Sequence, residues 1–555
     1  MKLVKYLALV ALLLVSFAVQ LNAQTAQGIV AGSSALWVEA GQGMAVGNCA
    51  WTSTSGNNTN DSRVAASLQN ESGNLWVVWT TGTGGTCAAP TADSNVYAYI
   101  SLDSTVGNRC LFAQPQCTLQ TSNAALTAGA NKLPGVVDTP LPASILAAFN
   151  GQSVNIAATD ILPADAKFAT YSTLAACGPL SAGTQFVGLG YGPGPVGATI
   201  NSFYSTKSFH VIDFNIFGND PINTNLAIPA ATVTPVGAAP ELVVVNTLNS
   251  QGFGLPAVQN ANRAVLALYF AGIFGRTADL LPQAFAGTGA TYYGTTALLR
   301  EPLSGTYRVF EHSIPNNKEI YRAMDSGNCG ANGTFTVTTN PLNLTRTIGT
   351  TTSVRNRVIG TGEMVSKLQT VQDAIGYAFW SAGNFAGTSN IKYLTVDGVD
   401  PILDSYAGGA VPTSGNGLLP NVTLSHVKDG TYPIWSMLRL VSYAGGQAAA
   451  QTLAAAAQAQ VSFGAGATQP DFVPFNQLNV FHAHFAPSGF NFNSGNVASD
   501  GPAVCGPNSN PEAGGDNGGL VFTLQAGADY CVLKGNYNAA GGVGPTNTAS
   551  FGIRQ

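Results

Sequence analysis

Leu298 to Phe310 reads LLREPLSGTYRVF, and its residue types suit the holding of an anion. A strand-like approach leads into Ser304, Gly305 and Thr306, after which the pattern predicts a helix. A Ser or Thr at a helix entry supplies a hydroxyl, and the first turn leaves backbone N–H groups without intrahelical partners. The helix dipole adds positive potential at the same end, so an oxyanion placed there is stabilised. Arg300, just before this loop, can add a planar, charge-assisted fork. Taken alone, these residues fit a plain helix cap beside a surface arginine equally well.

Other chemistries leave no comparable trace. The chain has no G-x-S-x-G elbow, P-loop, H-E-x-x-H or calcium loop. Of the five His, only His482 and His484 are close, and alternate residues of a strand share a face. No third ligand accompanies them, so surface or packed histidines are expected and no metal site. The run Gly188 to Gly197 (GLGYGPGPVG) looks superficially like a dinucleotide-binding turn. Pro193 and Pro195 block an amide-lined helix entry there, and a loop is expected instead. Hydrolysis of phosphate esters lacks an activated nucleophile, so no catalytic residue, enzyme activity or cofactor is expected.

The elements that must position such residues read as α/β. Leu75 to Thr81 and Val96 to Leu102 are short β-type runs between Gly/Ser/Asn/Thr-rich loops, and Asn48 to Asp93 reads as an elaborated loop or hairpin insertion. A helix is expected over Pro142 to Asn150 and a strand over Val154 to Ala158. Glu241 to Asn246 (ELVVVN) has the continuous apolar run of a strand buried on both faces. Ala261 to Ile273 has helical apolar spacing, and strand and helix signals alternate from there to Val441. Gln447 to Gln460 is Ala-rich and helical by propensity. A Gly/Asn-rich stretch follows Pro487, with one strand candidate at Leu520 to Leu524.

Composition limits the function classes. The 555 residues are 45% hydrophobic, enough for a large core. Only 9% are charged, where an average soluble protein has about a quarter. With 22 basic against 27 acidic residues there is no large basic field, which excludes phosphate-driven nucleic-acid binding and polybasic membrane contact. Met1 to Ala23 has Lys2 and Lys5 ahead of the apolar run Leu7 to Val19, the pattern of a signal peptide cleaved near Ala23. A periplasmic or secreted location without stable membrane insertion is expected. The eight Cys form no C-x-x-C pair, and an oxidising compartment favours disulfides. Sequence proximity favours Cys110–Cys117 and Cys505–Cys531, with Cys49–Cys87 as a further pair.

Read in order, several motifs resemble the phosphate-binding proteins of bacterial ABC import systems, in the type II periplasmic binding protein superfamily. Ala31-Gly32-Ser33-Ser34 resembles that family's first anion loop, with Ser34 as its hydroxyl donor. Val154 to Pro163 (VNIAATDILP) resembles the strand and loop that carry its aspartate, here Asp160. Val236 to Thr247 resembles the crossover strand, Val265 to Phe274 the helix after it, and Arg300 with Ser304, Gly305 and Thr306 the second-lobe anion loop. Gly360 to Tyr377 and Tyr393 to Pro401 resemble late second-lobe motifs, and Tyr432-Pro433-Ile434 the return strand. The family's G-x-G-S-S turn is absent, and Asp103-Ser104-Thr105 is the nearest equivalent, which makes Ser104 the second hydroxyl donor.

The resemblance implies a two-lobe α/β fold with an insertion in the N-terminal lobe and a Gly/Asn-rich C-terminal extension. Its divisions would be residues 1–23 as signal peptide, 24–240 as the first part of lobe I with the insertion at 48–93, 241–430 as lobe II, 431–500 as the return to lobe I, and 501–555 as the extension. It further implies capture of inorganic phosphate or a similar oxyanion by a monomer that serves an ABC permease. Asp160 would accept the proton that phosphate carries at neutral pH and sulfate lacks. A secreted structural or surface-interaction protein that keeps the fold without transport is the alternative.

Overall fold

A computed structural model of the chain describes residues 24–53, 62–64, 74–121, 129–163, 166, 185–186, 193–194, 228–248, 255–270, 275–280, 293–300, 304–314, 336–337, 343–348, 351–358, 360–482 and 521–523. The leader, Cys177, Cys329, Cys505, Cys531, His484 and most of Gly188 to Gly197 lie outside them. Within that run, Pro193–Gly194 is described, and it pairs with Gln185–Phe186 in a small ribbon rather than lying in a plain loop. Val521–Thr523, inside the strand expected near Leu520, pairs with Val480–His482.

Fourteen strands of the described residues form one mixed sheet. In chain order they are β1 (Thr25–Ser33), β2 (Cys49–Thr52), β3 (Leu75–Trp79), β4 (Asn95–Leu102), β5 (Ile156–Thr159), β6 (Thr232–Asn246), β7 (Thr296–Arg300), β8 (Thr336–Val337), β9 (Asn343–Ile348), β10 (Thr351–Val358), β11 (Ala374–Phe379), β12 (Ile391–Tyr393), β13 (Trp435–Ser442) and β14 (Val473–Pro474). The helices that matter are α1 (Trp37–Ala45), α2 (Ser104–Phe112), α3 (Ala143–Phe149), α4 (Arg263–Phe270), α5 (Gly305–Ser313), α6 (Gly360–Thr370) and α7 (Gln447–Gln460). The spatial order is β8-β9-β10-β7-β11-β6-β13-β5-β1-β4-β3-β2, with β12 and β14 also pairing β6.

The long strand β6 joins two regions of this sheet. Thr232 to Pro240 pair with β13, and from Glu241 onward the partner is β11. Its register shifts between Pro235 and Gly237, which lets a residue without a backbone N–H sit inside a strand. On one side β1 runs parallel to β4 and β5, and on the other β7 runs parallel to β10 and β11. Tyr432 to Ile434 precede the return strand, which begins at Trp435.

Both faces of the first region are covered, as the alternation of its side chains shows. Ile29, Val77, Trp79 and Ile100 pack on one face with Val106 of α2 and Phe149 of α3. Val30, Trp76, Val78 and Tyr99 pack on the other with Leu453 of α7. The α2 helix reaches β1 at Gly107, where a Cβ would stand 2.5 Å from the Ala31 carbonyl oxygen. That contact requires glycine. The edge pair β2 and β3 lies within the stretch expected as an insertion, and the pairs Cys49–Cys87 and Cys110–Cys117 are disulfide-bonded.

In the second region Phe310 of α5 stacks on Tyr377 of β11 with ring centroids 3.8 Å apart, and Phe270 of α4 meets both rings edge-on. This cluster sets where the first turn of α5 points.

Candidate functional site

Parallel strands release their following residues at a common edge, and ligands of α/β folds sit at such carboxyl ends. Ser33 stands beside Leu102, and Gly32 beside Ala158. The ends of β1, β4 and β5 therefore deliver Ser33 and Ser34, Asp103 and Ser104, and Asp160 to one place. In the second region Arg300 stands beside Val358, so Arg300 and the starts of α5 and α6 share another edge.

The two edges meet. A Cβ on Gly305 would lie 2.1 Å from Asp160 Oδ1 and 2.4 Å from Ser104 Oγ, so any larger residue would displace these two side chains. The Asp160 backbone N–H donates to Ser104 Oγ at 3.4 Å, and Ser436 Oγ donates to the Asp160 carbonyl oxygen at 2.5 Å. Ser304 caps α5, its Oγ accepting from the Tyr307 N–H at 3.4 Å.

Arg300 is 3% exposed. Its Nη1 donates to Thr306 Oγ1 at 3.3 Å and Thr361 Oγ1 at 3.1 Å, and its Nη2 lies 3.5 Å from Asp103 Oδ1. Its own backbone N–H donates to the Tyr377 hydroxyl at 3.2 Å. The guanidinium is thus held between the first turns of α2, α5 and α6. It is not the surface arginine that its local sequence equally permits.

Asp160 is 1% exposed, and its Oδ1 has no hydrogen-bond partner. Burial pushes its carboxyl from the ordinary 3.8 up to about 6, with Arg300, a Ser33 hydroxyl contact and Arg439 opposing the rise. A buried carboxyl oxygen left open is an acceptor awaiting a donor. Glu241 is also fully buried, with both carboxyl oxygens unpartnered. Burial first and Asp160 second hold its pKa well above the ordinary value, and Arg300 opposes them.

Of the seven residues singled out in the sequence, Ser104, Asp160, Arg300, Ser304, Gly305 and Thr306 come together here, and Ser34 follows at the end of β1. Ser34 opens a short 3-10 turn one residue further on, and Ser33 supplies the hydroxyl beside Asp160. Sequence reasoning missed Ser33, Thr361, Glu241 and Arg439. Gly360-Thr361 repeats the small-plus-hydroxyl signature of the α5 entry, and Glu241 and Arg439 each interrupt an apolar strand. Those were the available signals. Among the described residues no cluster of three or more His, Cys, Asp or Glu could hold a metal, and no helix is long and apolar enough to cross a membrane.

No protein-family model matches the chain, and no curated protein matches it by sequence. Among solved structures it is similar to an ABC-type phosphate transport receptor from Vibrio cholerae, at 14% identity and a TM-score of 0.22 over 39% of this chain and 60% of that one. A phosphate-binding protein from Stenotrophomonas maltophilia matches at 12% identity and 0.23, over 54% and 66%. A human phosphate binding apolipoprotein matches at 14% and 0.25, over 60% and 80%. The chain spans under two thirds of the length of the first two. Likeness at this level leaves the functional assignment to the chain's own geometry.

Proposed function

We propose that this chain is an extracytoplasmic substrate-binding protein that captures phosphate, or a related tetrahedral oxyanion, and passes it unchanged to an ABC permease. Its lobes would be residues 24–240 with 431–500, and 241–430. The change of partner along β6 at Glu241 and the return through β13 support that division. One observation carries the ligand reading: a buried arginine joins three helix entries, and at one of them Gly305 closes on a buried aspartate whose Oδ1 lacks a partner.

The physical logic separates affinity from choice. A desolvated oxyanion costs several kcal/mol or more unless its oxygens are hydrogen-bonded and its charge is met. Arg300 supplies charge, while Ser104, Ser304, Thr306 and the first-turn amides supply donors. Asp160 repels a fully deprotonated anion and accepts from one that carries a proton. Phosphate and arsenate carry that proton at neutral pH, and sulfate does not.

Isothermal titration of the chain with phosphate, arsenate and sulfate tests the reading. Phosphate and arsenate are expected to bind at one site, with sulfate weaker by about tenfold or more. No heat with phosphate, or equal affinity for sulfate, overturns it.

A further inference from the structure

Glu241 is a charged residue type inside β6, just ahead of its apolar run, and the fold offers its two carboxyl oxygens no hydrogen bond. A polar side chain kept only for packing would have its oxygens satisfied within the fold. Backbone register shows what lies near it. Ala239 of β6 is directly opposite Ser436 of β13, so their side chains share a face. Glu241, two residues on from Ala239, lies on that same face. It is the face from which Ser436 Oγ reaches the Asp160 carbonyl oxygen.

The charged and titratable groups around Glu241 come from three elements. Asp160 follows β5 and Arg300 ends β7, and both act on the Glu241 carboxyl. The Tyr432 hydroxyl, just before β13, donates to the Glu241 backbone oxygen at 2.6 Å, and burial, helped by the Glu241 carboxyl, raises the Tyr432 pKa. Arg439, within β13, acts on Asp160.

We propose that Glu241 is a second acid of the oxyanion site, its carboxyl O–H donating to one anion oxygen while Asp160 accepts the proton that the anion carries. This inference rests on the oxyanion reading above. It makes the site selective on two counts, since the ligand must offer one bare oxygen and one protonated oxygen. It also sets a sign for pH. The donor is present while Glu241 is neutral and is lost on alkalinisation, when the new charge repels the anion as well.

Phosphate titration of the full chain from neutral to alkaline pH, with infrared difference spectra of phosphate addition, tests this. Glu241→Gln keeps a donor of nearly the same shape. It is expected to hold phosphate affinity within about threefold at neutral pH and to flatten the alkaline decline, whereas Glu241→Ala weakens binding by about tenfold or more. In the wild type a protonated-carboxyl carbonyl band shifts when phosphate binds, and that change is missing from Glu241→Gln. If Glu241→Ala does not fold, the infrared comparison decides alone. Wild type that binds phosphate, with an unchanged pH profile and unchanged difference spectrum in Glu241→Gln, overturns the inference. Wild type that binds no phosphate overturns the oxyanion reading first, and this inference with it.

Discussion

The edge formed by β1, β4 and β5 and the edge formed by β7 and β10 are built alike and chemically unlike. Each is a set of parallel strands releasing its next residues toward a helix entry. The first presents Ser33, Asp103, Ser104 and Asp160, which are hydroxyls and carboxylates. The second presents Arg300, Ser304, Gly305, Thr306 and Thr361, which are a cation, hydroxyls and free amides. On the reading proposed above, an anion bound between them would take its attraction from the second edge and its selection from the first. Affinity and specificity are then separable, and substitutions on the two edges should fail differently.

Arg300→Ala tests the attractive edge and has the largest expected effect. Removing a desolvated charge partner costs about 2–5 kcal/mol, so phosphate affinity should fall about 30-fold or more while circular dichroism shows a folded chain. Unchanged titration would remove Arg300 from the site and erase the contrast.

Asp160 gives the selecting edge a stability signature. Its carboxyl moves from 3.8 to about 6 on folding, so between those values the folded chain holds a proton that the unfolded chain has released. Stability from this group is therefore greatest at low pH and falls as pH rises through that window, by about 3 kcal/mol at about 1.4 kcal/mol per pH unit. Urea unfolding of wild type and Asp160→Asn across the window measures the difference, and parallel pH profiles would show that burial does not govern this carboxyl. The same variant bears on choice. Asn removes the repulsion and adds a donor, so the phosphate-to-sulfate affinity ratio should narrow by about tenfold with phosphate binding largely kept. An unmoved ratio rejects the selecting role.

Thr361→Val is the smallest and sharpest test of the attractive edge. It deletes one acceptor of Arg300 Nη1, a loss of about 0.5–1.5 kcal/mol by ordinary hydrogen-bond values. Phosphate affinity should fall severalfold with selectivity over sulfate intact. A change in selectivity instead would mean that the two edges do not divide the work as described.

Local features were legible in the chain wherever neighbouring residues decide them. Ser304 caps α5 because a small hydroxyl residue precedes a helical run, and Gln447–Gln460 is helical because alanine favours it. The second half of β6 was plain from its apolar run. The first half, Thr232 to Pro240, was hidden in composition by Pro235, Gly237 and Pro240, and only the motif resemblance reached back as far as Val236. A register shift and a neighbouring strand make those residues extended, and neither is a local property.

The site itself divides the same way. Residue type and spacing alone determined that Leu298 to Phe310 would end a strand and cap a helix, and left an anion loop and a plain cap equally open. Sequence order, read as a resemblance, added Asp160, which local sequence by itself favours as an exposed loop residue or a cap. Tertiary structure decided what these groups became. Burial turned Asp160 into a weaker acid with an open oxygen and engaged Arg300 with three helix entries, and strand pairing set Glu241 on the face of the sheet that carries Ser436. The physical reason is that burial, desolvation and the meeting of distant charges depend on which segments pack together, and no stretch of neighbouring residues contains that information.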